Sequence, residues 1–536
     1  MKRNIQIMGM MLLATVVFVL IVAIVRYEDI PKHERYVDHI ENADADPTLG
    51  LDKIPEDRVV DDTFISHLPL VIIDTNGKEI KNYKEYNTVT QTFDEPAGVD
   101  VYTNISISII DNATNTNRIT DKSTLDSFAR IKIRGNNSAS PGKPKYQYRL
   151  KLTDETYKNY LPADVMGMGE EKDWILSPTV ADRSFIRNYM VYNIAGQICE
   201  FQSDIRFCEV LFKDGDKYIY NGLYMMVEPV EVSETRVNID ANESKYDVGS
   251  GFLLKKDRLN PNGISLNTWL TQQETDVGGK SYYEVMYPRE DEITQAQITE
   301  IEKEISYVEK ALYSNDIKKI DEAMDQLDID TFVDYYVINE MFGNMDAANY
   351  STYVYKDLRG KISIGPFWDY DGAMDNFRER TIDPEGFVMA DHDWFKELIK
   401  SREFDEKVVK RYRELRDSIL SYEYIEQFVK DTQAYLGNAI LRDQSCFGYY
   451  MYNLEVVEDE LTGLSIDRRR YTVDAETQRV LDYIYTHGEF LDANMEKLYG
   501  NAIYDLTVSD EGQIFMLGFL ILFGVSIIIV QRYISN

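Results

Sequence analysis

Three cysteines, five histidines and four tryptophans are few for a chain of 536 residues. The histidines are scattered and no Cys-x-x-Cys pair occurs, which argues against a zinc site built on Cys and His. Positive charge is also short: 92 acidic residues face 58 basic ones, a formal net charge of −34. So acidic a chain lacks the cationic footprint that phosphate-backbone binding needs, which excludes nucleic acid as its main partner but not a local basic pocket. Internal repeats are absent. Apolar residues make up 44%, which rules out wholesale disorder. The length allows two or three domains or one large one.

Long apolar runs occur at the two ends. Met8–Val25 carries no charge and is bounded by Lys2, Arg3 and Arg26; Ile514–Val530 is closed by Gln531-Arg532. Eighteen helical residues cover ~27 Å at ~1.5 Å each, close to a ~30 Å hydrocarbon core. No small-x-small cleavage site follows the first run, so an uncleaved anchor is expected over residues 1–26 and a second transmembrane helix over 513–531. Both termini would then be cytoplasmic, with the middle of the chain extracytoplasmic at a cell membrane. Cys199 and Cys208 flank a helix-to-strand connection; in an oxidising compartment they could staple it, and otherwise they are free thiols.

Residues 27–62 are charged and aperiodic and read as a stalk. Strand-like runs follow at 68–74, 104–110, 129–135 and 145–152, the last two alternating as half-buried strands do. A helix fits 183–198 with Asp182 as N-cap. A hairpin (FCEVLFK to YNGLYMMVEPVE) and a strand (GSGFLLKKD) come next, then helical spacing, a compact hairpin (YSTYVYKD to KISIGPFWDYD) and mostly amphipathic helix to about residue 498. The order predicts an α+β, bilobal domain over 63–505, with a β-rich lobe at about 63–255, a helical lobe at about 256–505 and the cleft near 228–255.

Acids stand at both ends of the compact hairpin: Asp346, with Asn349 three residues on, before it, and Asp369 and Asp371 after it. Residues so placed can converge on one point, as phosphoryl transfer needs. One carboxylate orients or deprotonates the attacking hydroxyl; another, with an amide oxygen, holds a hard divalent cation against nucleotide phosphates. A basic residue of the β-lobe (Lys145, Arg149 or Lys151) would offset phosphate charge, and Arg134-Gly135-Asn136 opens a loop able to cover the phosphates. Asp and Asn are also ordinary turn residues, and alternating basic residues are often just a solvated strand face.

The stretches RIKIRGNNSASPGKPKYQYRLKL, DWILSPTVADRSFIRNYMVYNI, YNGLYMMVEPVE, FVDYYVINEMFGNMDAANYSTYVYKD and ISIGPFWDYDGAMDN, in that order, resemble the core motifs of the CotH (spore coat protein H) kinase family across roughly residues 68–500. The resemblance implies an atypical protein-kinase-like fold, here between two transmembrane helices. It also implies transfer of the ATP γ-phosphate, with Mg²⁺ or Mn²⁺, to serine or threonine of surface, coat or envelope proteins. Asp346 then matches the catalytic acid and Asp369 the metal-binding acid, with Asp371 beside it; Asn349 is the nearest metal-binding amide. Arg134, Gly135 and Asn136 stand in for the glycine-rich loop, and Glu228 takes a hinge position. Expected partners are nucleotide, protein substrate and membrane. The competing expectations are a non-catalytic binding module on the same fold and an envelope-polysaccharide accessory protein.

Overall fold

Period-two strands dominate the first half of the chain, and the computed structural model shows what they build. It describes residues 35–135, 139–178, 181–240, 251–273, 280–377, 380–452, 456–459, 463–467, 469 and 472–503. Seven strands form a closed barrel: β1 (Leu70–Asp74), β2 (Thr103–Ile110), β3 (Leu125–Ile133), β4 (Tyr148–Thr153), β5 (Asp173–Pro178), β6 (Ile205–Asp214) and β7 (Lys217–Val227). Around the ring the order is β1-β2-β3-β4-β5-β7-β6 and back to β1. An odd number of strands cannot alternate in direction all the way round, so one pair must run parallel. That pair is β1 and β6, from Leu70 beside Glu209 to Asp74 beside Lys213; the other six pairings are antiparallel.

Alternate side chains fill the barrel, as the pleat requires. Ile105, Ile107 and Ile109 of β2 meet Ala129, Ile131 and Ile133 of β3, Leu150 and Leu152 of β4 and Trp174 of β5 in one dry cluster. The β3–β4 register sets Ile131 opposite Leu150 and, one residue on, Lys132 opposite Arg149. The inward set is therefore sealed and the outward set is cationic.

Helix α1 (Arg187–Ala195) covers the outer face of β5–β7 with Tyr189, Met190 and Ile194 against Ile175, Phe207 and Met225. Asp182 sits five residues before Arg187 and accepts its backbone N–H (2.7 Å) and its guanidinium (2.5 Å), so it anchors the helix start although Ile186 is the cap residue.

A second, antiparallel sheet has the order β9-β8-β10-β11, built from β8 (Phe252–Arg258), β9 (Ser281–Tyr287), β10 (Thr352–Lys356) and β11 (Ile362–Ile364). Helix α2 (Gln295–Leu312) opens with a Thr294–Gln297 capping box and buries Ile301, Ile305, Val308 and Leu312 at helical spacing. Helix α3 (Ile317–Met324) leads to α4 (Ile329–Met341), which is buried on almost every side and delivers the chain to Asp346. The packed helices α5 (Arg402–Arg416), α6 (Tyr422–Leu436), α7 (Asn438–Tyr452) and α8 (Val473–Asn494) complete the core around it.

Three expectations are corrected. The β-rich part is a closed barrel, not the β-rich lobe of a bilobal kinase-like fold, because β1 and β6, distant in sequence, pair and close the ring. Against the expected two-span localisation and a domain set between two transmembrane helices, no helix among the described residues is long and apolar enough to cross a membrane; segments 8–25 and 514–530 lie outside the described residues. The part of the stalk that is described, 35–62, is built into the domain: Asp38 accepts from Arg206 Nε and the Phe207 amide (3.0 Å each), and Val59–Val60 pairs with β7. Of the two alternatives left open for the cysteines, the structure holds the free thiols at all three, with Cys208 turned into the barrel.

Candidate active site

The outer face of β3 and β4 is one wall of a cleft of about 520 Å³. From the barrel come Lys132, Arg134, Gly135, Gln147 and Arg149; from the second sheet, Lys255 and Asp257 of β8 and Glu284 of β9; from the loops around the compact hairpin, Asp346, Ser351, Asp369 and Asp371. The cleft thus lies between the barrel and the second sheet, not near 228–255, and Lys255 alone represents that stretch.

Local sequence explains the acidic floor. Helix α4 stops at Phe342, and Gly343 turns the chain at φ 57°. Asn344 then accepts the Asp346 amide (3.2 Å) and donates to Asn339 (3.2 Å), so the Asp346 loop is fastened to the helix that precedes it. Ala348, Ser351 and Asp369 all hold positive φ (63°, 49° and 67°), a conformation that non-glycine residues keep only where their surroundings impose it. What imposes it at Asp369 is α1. The Tyr192 hydroxyl accepts the Asp369 amide (3.3 Å) and Asn188 Oδ1 accepts the Tyr370 amide (2.6 Å), while Ser351 Oγ donates to Asp369 Oδ2 (3.1 Å).

Like charges gather on that floor. Burial, with Asp369 nearby, pushes the Asp346 carboxyl up to about 6, against the pull of Arg258. Burial raises Asp371 well above the usual carboxylate range, reinforced by the charge of Asp369 and a hydrogen bond with it. The wall opposite is cationic but partly occupied. Glu95 takes Lys132 (2.8 Å) and Lys84 (3.7 Å), Arg149 pairs with Asp173 (3.1 Å) and Glu231, and Lys255 pairs with Asp257 (2.5 Å). Burial pulls Lys132 and Arg134 below their usual pKa values. Arg134 donates to the Gln147 side chain (2.8 Å), and Gly135, at φ 104°, makes the turn away from β3 that a Cβ would strain.

Of the residues singled out in the sequence, the structure brings Asp346, Asp369, Asp371, Arg134, Gly135 and Arg149 into this one cleft. Asn349 lines a neighbouring hollow instead and does not join Asp369 and Asp371, because residues 346–349 form a tight turn in which the Asn349 amide bonds back to the Asp346 carbonyl (3.1 Å). Lys145 is a correction. Its ammonium is sealed behind β7, with Asp443 and the Leu223 carbonyl each at 2.7 Å, and Gly222 leaves the room, since a Cβ there would collide with both charged groups. Lys151 reaches Asp173 (3.7 Å) and the ring of Tyr160, outside the cleft lining. Glu228 is buried at the strand end, accepting the Asp204 amide (2.8 Å) and facing Arg236 (3.5 Å), so it is structural. Asn136 lies outside the described residues. Sequence reasoning missed Lys132, Lys255, Asp257 and Glu284; their only signal was a place in strand-like runs, RIKIR for Lys132, LLKKDR for Lys255 and Asp257, and YYEVMY for Glu284.

The CotH kinase protein family matches residues 131–490, or 360 of the 536. The chain belongs to the CotH kinase family. No curated protein matches it. Family membership brings a nucleotide and a divalent metal into question, and the donor chemistry can be tested against them. Among the described residues no group of three or more His, Cys, Asp or Glu is arranged as a complete metal cage. Asp369 and Asp371, joined by a hydrogen bond at the edge of a roomy cleft, could nonetheless supply, once the shared proton leaves, the one or two carboxylates that Mg²⁺ takes beside its waters and phosphate oxygens. The residues fit the ion.

Proposed function

We propose that this CotH kinase family member transfers the γ-phosphate of ATP to a serine or threonine hydroxyl of a protein, in a reaction that depends on Mg²⁺ or Mn²⁺. The observation that carries the reading is the convergence of Asp346, Asp369 and Asp371 in one cleft opposite Lys132, Arg134 and Arg149. Asp369 and Asp371 would hold the cation, which supplies charge neutralisation at the phosphate oxygens. Arg134 and Arg149 face the triphosphate from the barrel wall. Asp346, raised to about 6, is matched to receiving a proton near neutral pH. The acceptor oxygen forms a bond to the γ-phosphorus as the bridging O–P bond breaks. ADP leaves with that electron pair and Asp346 Oδ takes the hydroxyl proton.

The buried charges of the cleft should make nucleotide binding visible as stabilisation of the full chain. At a hundredfold excess over Kd, ATP with Mg²⁺ is expected to add about 2.7 kcal/mol. Asp369→Ala should abolish the metal-dependent part of that gain. Equal melting temperatures with and without ATP and metal would reject the reading.

A further inference from the structure

Strand β8 ends on Arg258, which is held in register opposite Ser281 of β9, and just beyond it Asn260 donates to Glu284 (2.7 Å). The Arg258 side chain lines the nucleotide cleft beside Asp346 and lies over the Tyr350 ring, 4.1 Å from its centre. Tyr350 belongs to the Asp346 turn, since its amide bonds to the Asp346 carbonyl (2.7 Å). Burial and Asp369 push the Asp346 carboxyl up, and the charge that pulls hardest the other way is that of Arg258.

What sets Arg258 apart is that its charge is unspent. Lys84 and Lys132 share Glu95, Arg149 is taken by Asp173 and Glu231, and Arg134 donates to Gln147. On β8 itself Lys256 is closed by Asp393 and Lys255 by Asp257 (2.5 Å). The other oxygen of Asp257 accepts the Arg258 backbone amide (2.8 Å), so this neighbour does not pair with the Arg258 guanidinium either. Among the described residues that guanidinium has no carboxylate partner; its one contact is the Tyr350 ring.

In phosphoryl transfer, charge spreads over the equatorial oxygens of the moving group, and a planar guanidinium fork can donate to two of them at once. We propose that Arg258 is a further catalytic residue, the arginine that grips the γ-phosphoryl oxygens in the transition state. The proposal rests on the kinase reading above. The acceptor oxygen bonds to the γ-phosphorus as the bridging O–P bond breaks. That electron pair leaves on ADP, the hydroxyl proton passes to Asp346, and Arg258 donates N–H bonds without forming a covalent one. An arginine that merely braces the Tyr350 turn would be indifferent to the state of the phosphoryl group, and the test uses that difference.

The test measures binding to the full chain of Mg²⁺ with ATP, with ADP, and with ADP plus aluminium fluoride, a mimic of the phosphoryl group in flight. The wild type should bind the fluoroaluminate complex at least about tenfold more tightly than ADP alone. Arg258→Gln should abolish that increment while its Kd for ATP and for ADP stays within about threefold. Its kcat for transfer of labelled phosphate should fall about 10²–10³-fold. Should Arg258→Gln fold poorly, Arg258→Lys, which keeps the charge but not the fork, is expected to lose a smaller part of the increment. An unchanged increment in the variant, or equal weakening of all three complexes, overturns the assignment. If the wild type binds ATP with Mg²⁺ but gains nothing from fluoroaluminate, the role of Arg258 fails and the kinase reading stands. If it binds no nucleotide, both fall.

Discussion

Buried charge is arranged by opposite rules in two regions of this protein. Behind the barrel, Lys145 meets Asp443 (2.7 Å), and Arg442 meets Glu209 (2.8 Å), each side chain fully enclosed and matched to an opposite charge. On the cleft floor, Asp346, Asp369 and Asp371 lie together, and burial, reinforced by the charge of Asp369, raises the carboxyl pKa values of Asp346 and Asp371. The first arrangement sets an opposite charge against desolvation, outweighing it at Arg442–Glu209 and offsetting it in part at Lys145–Asp443; the second leaves a deficit of positive charge that a bound cation would fill. Structural networks also perturb pKa values, so what separates the two regions is the sign of the neighbours and the open cleft.

The largest effect expected from breaking this contrast is catalytic. Asp346→Ala should lower phosphotransfer by about 10²–10⁴-fold, the usual contribution of a positioned proton acceptor, while the melting temperature of the ligand-free protein does not fall. Next comes the paired region, where Asp443→Ala strands a buried ammonium. It should cost about 3–5 kcal/mol in urea unfolding, and replacing both partners with apolar residues should recover most of that loss. A third, smaller effect sharpens the comparison at a carboxylate that has neither a partner nor a ligand. Both oxygens of Asp405 are buried without a hydrogen bond, and burial pushes its carboxyl up to about 8. Its folded pKa lies above the unfolded one, so the bound proton stabilises the fold fully below pH ~4 and that contribution fades as pH rises through about 8. Asp405→Asn should therefore stabilise by about 1–2 kcal/mol at pH 8 and by little at pH 4. The smallest effect is Asp371→Asn. Relieving like-charge repulsion should raise metal-free stability by less than about 1 kcal/mol while weakening the Mg²⁺ dependence of ATP binding.

The acids were legible because chemistry narrows the choice: a hairpin with Asp at both ends is visible in the sequence, and β10 and β11 form as that pattern predicts. The alternation in RIKIR and in YRLKL was legible too, as half-buried strands. What occupies the outer face of such a strand depends on partners far away in sequence, so Lys132 and Arg149 could not be told from a solvated surface, nor Lys145 from a phosphate ligand. Barrel closure was hidden for the same reason. It depends on one parallel pairing between β1 and β6, with no local signature. The helix at 183–198 shortened to Arg187–Ala195, and its role emerged only in three dimensions, where Asn188 and Tyr192 hold the Asp369 loop.

The most direct test of the proposal that these acids hold a cation is transfer of labelled γ-phosphate from ATP by the full chain with Mg²⁺ or Mn²⁺, run beside Asp346→Ala and Asp369→Ala. The expected result is transfer by the wild type, nucleotide binding without transfer in Asp346→Ala, and loss of metal-dependent binding in Asp369→Ala. Transfer at the wild-type rate by either variant would contradict the account.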